Sequence, residues 1–430
     1  MNKRASLLSL LLLSLAPGVA RAHGGLPIAQ TIFWQGDTLI VPTQYWGVFY
    51  GKDGGPWRWI CEEAINKDQL RKWALGGDGT WHVTDYAGIT SSRDGGCTWV
   101  QSTGEIQQRS TSGVVADPAD PRRSWATTDG GGVPWNGLFT TTDGGVTWTD
   151  VLRADEYLRG VALSADGKRL YVTGTPRTPQ PAPDDGGAGN DGGEPTFTPV
   201  LHVSRDGGKT WEEHALRFVL DGLVVTRIVP VAVDPRDPDV IWLRVESDPT
   251  SVLLRGHLAG GKLDLTEVLR KDGTVQRPGI AGLGFRPAKD EMFIAAGDGL
   301  YRVTGNAAPE KTSMLSRAQC AAPTGDRLYA CSWNYMPDNA AIARSDDDGK
   351  TFQRVFQYAD TVGPIETCAP STPVGQMCPL VWAQYAAQLG ITMGGGDAGI
   401  GPGVDPKGCA CALSPRRDAS RSAALLPLAL

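Results

Sequence analysis

The sequence predicts an all-β chain: a seven-bladed β-propeller of four-stranded antiparallel blades with a short C-terminal extension. Three observations lead there. An eight-residue phrase appears as SRDGGCTW at 92–99, TTDGGVTW at 141–148, SRDGGKTW at 204–211 and SDDDGKTF at 345–352. Its aspartates, Asp94, Asp143, Asp206 and Asp347, are 49, 63 and 141 residues apart. The interval of 63 holds a Pro/Gly/Asp insertion from Pro176 to Pro199, and 141 is three steps of 47, as though two repeats had lost the phrase. The third observation is a short β-type run after a turn in every unit, from Thr38–Val41 through Thr80–Val83, Ser124–Thr127, Leu170–Thr173, Val240–Leu243 and Met292–Ala295 to Leu328–Cys331. Each of the seven units has room for four strands, and radial repetition of such units makes a propeller.

Residues 1–22 read as an export leader, with Lys3 and Arg4 before the apolar run Leu7–Leu15 and the small-x-small site Ala20-Arg21-Ala22. Its removal takes away Lys3, Arg4 and Arg21, leaving 38 basic against 47 acidic residues, a balance of −9. Such a charge excludes a general nucleic-acid binder, which needs a basic surface. The 55 glycines and 30 prolines punctuate short runs of Val, Ile, Leu, Trp and Tyr, as an all-β globule over residues 23–362 requires.

Within each phrase the residue types explain themselves. The aspartate accepts N–H groups of its own turn, the glycines supply positive φ, and the terminal aromatic packs between blades. The structural set is Ser92, Asp94, Gly96, Thr98 and Trp99; Thr141, Asp143, Gly145, Thr147 and Trp148; Ser204, Asp206, Gly208, Thr210 and Trp211; and Ser345, Asp347, Gly349, Thr351 and Phe352. Gly51 to Gly55 reads as a decayed copy one step upstream of Asp94. The phrase S/T-x-D-x-G-x-T-W/F resembles the Asp-box of the BNR-repeat proteins, a superfamily that includes sialidases, sortilin-type receptors, xyloglucanases and photosystem II assembly factors. The resemblance covers residues 27–362 and implies a propeller with the box at the turn between the third and fourth strands of a blade. It specifies fold far better than function.

Antiparallel order places the boxes on one face and the loops between second and third strands on the other. Those loops carry Tyr45, Trp46, Asp85, Tyr86, Asp129, Trp135, Glu246, Asp248, Trp333, Tyr335 and Asp338. Arg71, Arg109, Arg159, Arg227, Arg277 and Arg317 recur at the starts of innermost strands. A ring of guanidiniums at the channel mouth would focus anions, with Trp46, Trp135 and Trp333 stacking on sugar faces. The competing expectation is that each arginine pairs with a local carboxylate or stacks on an aromatic.

Sialidases grip a sugar carboxylate with three arginines, but their Arg-Ile-Pro motif precedes the first box. The nearest match here, Arg227-Ile228-Val229-Pro230, follows three boxes and has an extra residue. Glu246 and Asp248 are the carboxylates a glycoside hydrolase reading would use. No HExxH, P-loop, GxSxG or CxxC occurs. His23 lacks a second histidine for copper, and Asp184 to Asp191 lacks EF-hand spacing, so neither cofactor nor metal is expected.

Cys320 and Cys331 flank the turn Pro323–Arg327 symmetrically and should face each other across a hairpin; Cys368 with Cys378 is the second expected pair, and Cys61 with Cys97 follows by elimination. An extension at 363–393, with a short helix over Leu380–Leu389, leads to a Gly-rich linker at 394–408 and a tail at 409–430 carrying Cys409 and Cys411. Linker, Cys-x-Cys and apolar end resemble the MYXO-CTERM surface-sorting signal of myxobacteria, which implies attachment at the cell surface. That signal normally has a full hydrophobic span and a basic finish, whereas the apolar end here is only Ala423–Leu430. The sequence therefore predicts an exported, surface-associated, non-catalytic binding module for an anionic or carbohydrate ligand. A glycoside hydrolase and an assembly factor for another surface protein are the alternatives.

Overall fold

The computed structural model describes residues 25–65, 72–177, 198–216, 225, 227–247, 249–273 and 279–391. The leader, His23, the insertion core, Arg71, Asp248, Arg277, the linker, and the tail with Cys409 and Cys411 lie outside them.

Seven antiparallel sheets form a ring, each ordered from first to fourth strand as the chain runs. The first strands of neighbouring blades touch and line the central channel. The repeated β-type runs are the second strands, beginning with Thr38–Gln44 in blade 1 and ending with Arg327–Cys331 in blade 7. Blades 5 and 6 complete four strands each without a box, as the spacing of 141 implies. Apolar residues alternate into the seams between blades, so each sheet is covered on both faces.

The boxes sit between third and fourth strands in blades 2, 3, 4 and 7. In blade 3, Asp143 accepts from Thr141 Oγ1 at 2.7 Å, Val146 N at 2.9 Å and Thr147 Oγ1 at 2.6 Å, while Gly145 N donates to Thr141 Oγ1 at 3.0 Å. Blade 4 repeats the set around Asp206 and Ser204, and Trp211 Nε1 returns to Gly208 O at 3.2 Å. The second box glycine stands at φ 80° in blade 3 and 89° in blade 4. A Cβ on Gly145 would strike His82 and Ser91 of blade 2, and one on Gly208 would meet Trp125 of blade 3. Each of these turns is therefore also the point where one blade seats on the one before it.

Ring closure departs from the expected layout. Thr361–Pro364 adds in parallel to the outer edge of blade 1, beside Trp57–Ile60. Helix α1 (Glu62–Ile65) and helix α2 (Pro373–Gln388) follow blades 1 and 7 and pack together. The second helix starts earlier than Leu380 because Thr372 caps it, accepting from Gly375 N at 3.1 Å, and Pro373 supplies a preset first turn.

The hairpin disulfide Cys320–Cys331 forms across a directly paired position, with Cα atoms 4.9 Å apart. The other two expected pairs are wrong. Cys61 bonds Cys378 and Cys97 bonds Cys368, with Cα separations of 5.3 and 5.2 Å. Thr361–Pro364 carries the chain back along blade 1, which sets Cys368 beside the blade 2 box and Cys378 beside the end of blade 1.

Two outcomes follow. Asp143→Ala should cost about 1–2 kcal/mol in urea unfolding at neutral pH, through its unmet turn donors. Partial burial pushes the Asp143 carboxyl up, but the bonds from Thr147, Thr141 and Val146 outweigh it and hold the group at about 2. Its contribution is thus present above the ordinary value of 3.8 and lost as pH falls through about 2, so the gap between wild type and variant should close over that window. Removing Cys97–Cys368, which closes a 271-residue span, should cost about 2–4 kcal/mol and more than removing Cys320–Cys331, which spans 11.

Candidate functional site

The starts of the inner strands are bent by bulges. In blade 4 the pairing of Glu156–Leu163 with Leu170–Pro176 skips Arg159, between Leu158 and Gly160, and similar shifts occur at Ser112, Val231 and Ala281. An unpaired residue at a bulge turns its side chain out of the sheet repeat, which frees Arg159 toward the channel mouth.

There it meets a cluster drawn from blades 2, 3, 4 and 5. Arg159 Nη1 lies 3.4 Å from Asp129 Oδ2, and Arg227 Nε lies 4.0 Å from Glu246 Oε2. Arg244 holds Glu246 at 2.7 Å and donates to Ala281 O at 2.9 Å, bridging blades 5 and 6. Lys72, at the start of blade 2, is fixed by backbone bonds with Thr84. The residue is exposed overall, while loss of hydration around its ammonium lowers its pKa first, the charges of Arg244 and Arg227 add to the effect, and Glu246 opposes them, leaving it at about 8. The cluster thus sets four cations, Lys72, Arg159, Arg227 and Arg244, against two carboxylates, Asp129 and Glu246.

The remaining candidates divide. Trp46 is withdrawn from the ligand surface: it is 2% exposed, its indole donates to Gly25 O at 2.9 Å, and Tyr385 of α2 packs on it with ring centroids 4.6 Å apart. The extension that follows blade 7 covers this loop, and Trp46 becomes core. Trp135 is half-buried, with the guanidiniums of Arg109 and Arg153 at 3.9 and 4.3 Å from its ring centroid. Arg109 also donates to Glu105 O and Trp135 O. Arg317 lies 3.8 Å from the ring centroid of Trp333. Arg109 and Arg317 therefore stack, while Arg159 pairs with Asp129 and stands 5.0 Å from the Tyr157 ring centroid and Arg227 pairs with Glu246, so all four meet the competing expectation of a local partner even where they join the charged cluster.

Glu246 is a poor proton donor. Burial raises its pKa, but Arg244 and Arg227 overcome that and hold the carboxyl below its ordinary range. Asp338 is the reverse, pushed up by burial while it accepts from Ser316 N and Trp333 N. It serves as the acceptor that shapes its own loop.

Sequence reasoning missed Lys72 and Arg244. Lys72 directly follows Arg71 and was legible in principle. Arg244 lies within a second strand two residues before Glu246, so alternation puts both on one face, and its bond to Ile280 O holds it at the seam with blade 6. Two grooves of 660 and 590 Å³ open on the box face, beside Lys52 and Asp53 and beside Arg236 and Asp290. Their charges are already neutralised by Lys52–Asp37, Arg344–Asp53 and Arg236–Asp234 pairs.

The BNR/Asp-box repeat family model matches residues 202–213, the blade 4 box with its flanks. No curated protein sequence matches the chain. Among solved structures it is similar to hydrazine synthase of Kuenenia stuttgartiensis, at 13% identity over 74% of this chain and 96% of that one, with a TM-score of 0.50. It is also similar to a chain of a nidogen/laminin complex, at 13% identity, 67% and 94% coverage and a TM-score of 0.41. A third similar structure is the GH74 xyloglucanase of Xanthomonas campestris, at 12% identity, 77% and 68% coverage and a TM-score of 0.34. At these identities the likeness reaches the fold alone: this chain is a β-propeller carrying BNR repeats.

Proposed function

We propose that this chain is an exported, non-catalytic binding propeller whose channel mouth takes an anionic ligand, with acidic glycans the favoured class. The observation that carries the reading is the meeting of Arg159, Arg227, Arg244 and Lys72 around two carboxylates, Asp129 and Glu246. A carboxylate, sulfate or phosphate entering there would satisfy donors already held in place by the bulged strands. Arg159 and Arg227 each keep a buried Nε–H without a protein acceptor.

Binding rather than hydrolysis is favoured because Glu246 is engaged by Arg244 and Arg227 and, held ionised by them, is unsuited to act as a general acid. Export is supported by the leader pattern and by three disulfides, which suit an oxidising compartment. Among the described residues no helix is long and apolar enough to cross a membrane, and surface attachment would fall to the Cys409–Cys411 tail.

Full-length protein should retain polygalacturonate and dextran sulfate in a salt-sensitive way and ignore neutral dextran. Lys72→Ala, Arg159→Ala and Arg227→Ala should each weaken that retention about tenfold, roughly 1.4 kcal/mol per lost charge contact, without lowering the melting temperature. Retention should also fall as pH rises through about 8, because Lys72 is charged below that value and neutral above it. Equal retention by the triple variant would overturn the site, and release of shortened products would overturn the absence of catalysis.

A further inference from the structure

We propose that blade 4 carries a site for a divalent transition metal formed by Glu156, His202 and Glu213. The three donor atoms lie within 4.8 Å of one another, and His202 Nε2 is 3.2 Å from Glu156 Oε2. No motif in the sequence announces them, since 46 residues separate Glu156 from His202.

The fold brings them together through three features. His202 and Glu213 are direct partners across the third and fourth strands, so their side chains leave the same face. Glu156, on the first strand, would point to the opposite face in unbroken register. The bulge that skips Arg159 shifts its parity and returns it to the face of Gly174 and Val200, hence of His202. Gly174 then clears the path: a Cβ there would stand 3.1 Å from the Cβ of Glu156 and 3.1 Å from Val200 Cγ2.

Charge supplies an independent argument. Glu156 and Glu213 converge on a single imidazole, and among the described residues no lysine or arginine pairs with either. Neighbouring Glu212 is engaged instead with Arg205 and His214. Two carboxylates with a neutral imidazole carry the charge that a divalent cation cancels. Nitrogen plus oxygen donors suit zinc, cobalt, nickel or manganese rather than soft copper(I). His202 is 6% exposed, whereas Glu213 faces solvent, so the metal would enter from the Glu213 side and keep water in its open positions.

The test is titration of full-length, EDTA-treated protein with cobalt(II), followed by its visible absorption and by thermal unfolding, with zinc(II) as competitor. The expected result is one equivalent bound, displaced by zinc and accompanied by a higher melting temperature. Glu213→Gln changes an exposed group and should weaken binding about tenfold or more. Gly174→Ala should do the same by displacing Glu156. Wild-type protein that takes up no cobalt would overturn the proposal, showing His202–Glu156 to be an ion pair alone. Uptake undiminished in Glu213→Gln would overturn it equally, placing the metal elsewhere. Neither result bears on polyanion retention at the channel mouth, which uses other side chains.

Discussion

A blade of four strands has two apolar faces, and only a closed ring covers both in every blade. Closure is therefore the constraint on which the other contacts depend. In a ring the first and last blades must meet without being consecutive in the chain, and here a set of aromatic contacts builds that seam. Trp57 stacks on Phe356 with centroids 4.0 Å apart, and Phe49 lies between Phe356 and Tyr358. One apolar cluster runs through blades 1, 2 and 7 and into α2. The parallel strand Thr361–Pro364 covers the exposed edge of blade 1, where an open strand would otherwise invite pairing with another chain.

Closure also makes the channel. Inner strands of neighbouring blades approach one another around the axis, so side chains at their starts converge even though they are far apart in sequence. Lys72 and Arg227 are linked in this way, and the bulges add residues such as Arg159 that a regular strand would keep in its own sheet. Topology is what brings these scattered cations together.

What was legible in the sequence follows range. The box is a local device: donors and acceptors lie within seven residues, so Asp94, Asp143, Asp206 and Asp347 could be assigned from spacing alone, and blade number came with them. The Cys320–Cys331 hairpin was legible for the same reason. Failures begin where partners are distant. Cys61 and Cys97 find partners 317 and 271 residues away, and Trp46 looked like a rim aromatic because nothing local shows that α2 will lie over it. The arginine pattern was half informative. It found strand starts, but whether a guanidinium stacks, as Arg109 does on Trp135, or joins the channel depends on the neighbouring blade.

The two long-range disulfides also impose an order in time. Cys61 and Cys97 leave the ribosome early, only 36 residues apart, and their true partners emerge 271 residues or more after them. In an oxidising compartment the earliest bond open to them is with each other, and that bond would tie the end of blade 1 to the box of blade 2 before the ring exists. Correct assembly then requires either that oxidation wait for residue 378 or that an early bond be exchanged through a mixed disulfide. The early pair Cys61 and Cys97 is thus a misfolding trap open to this chain, and thiol exchange becomes part of its folding along with the packing of its blades.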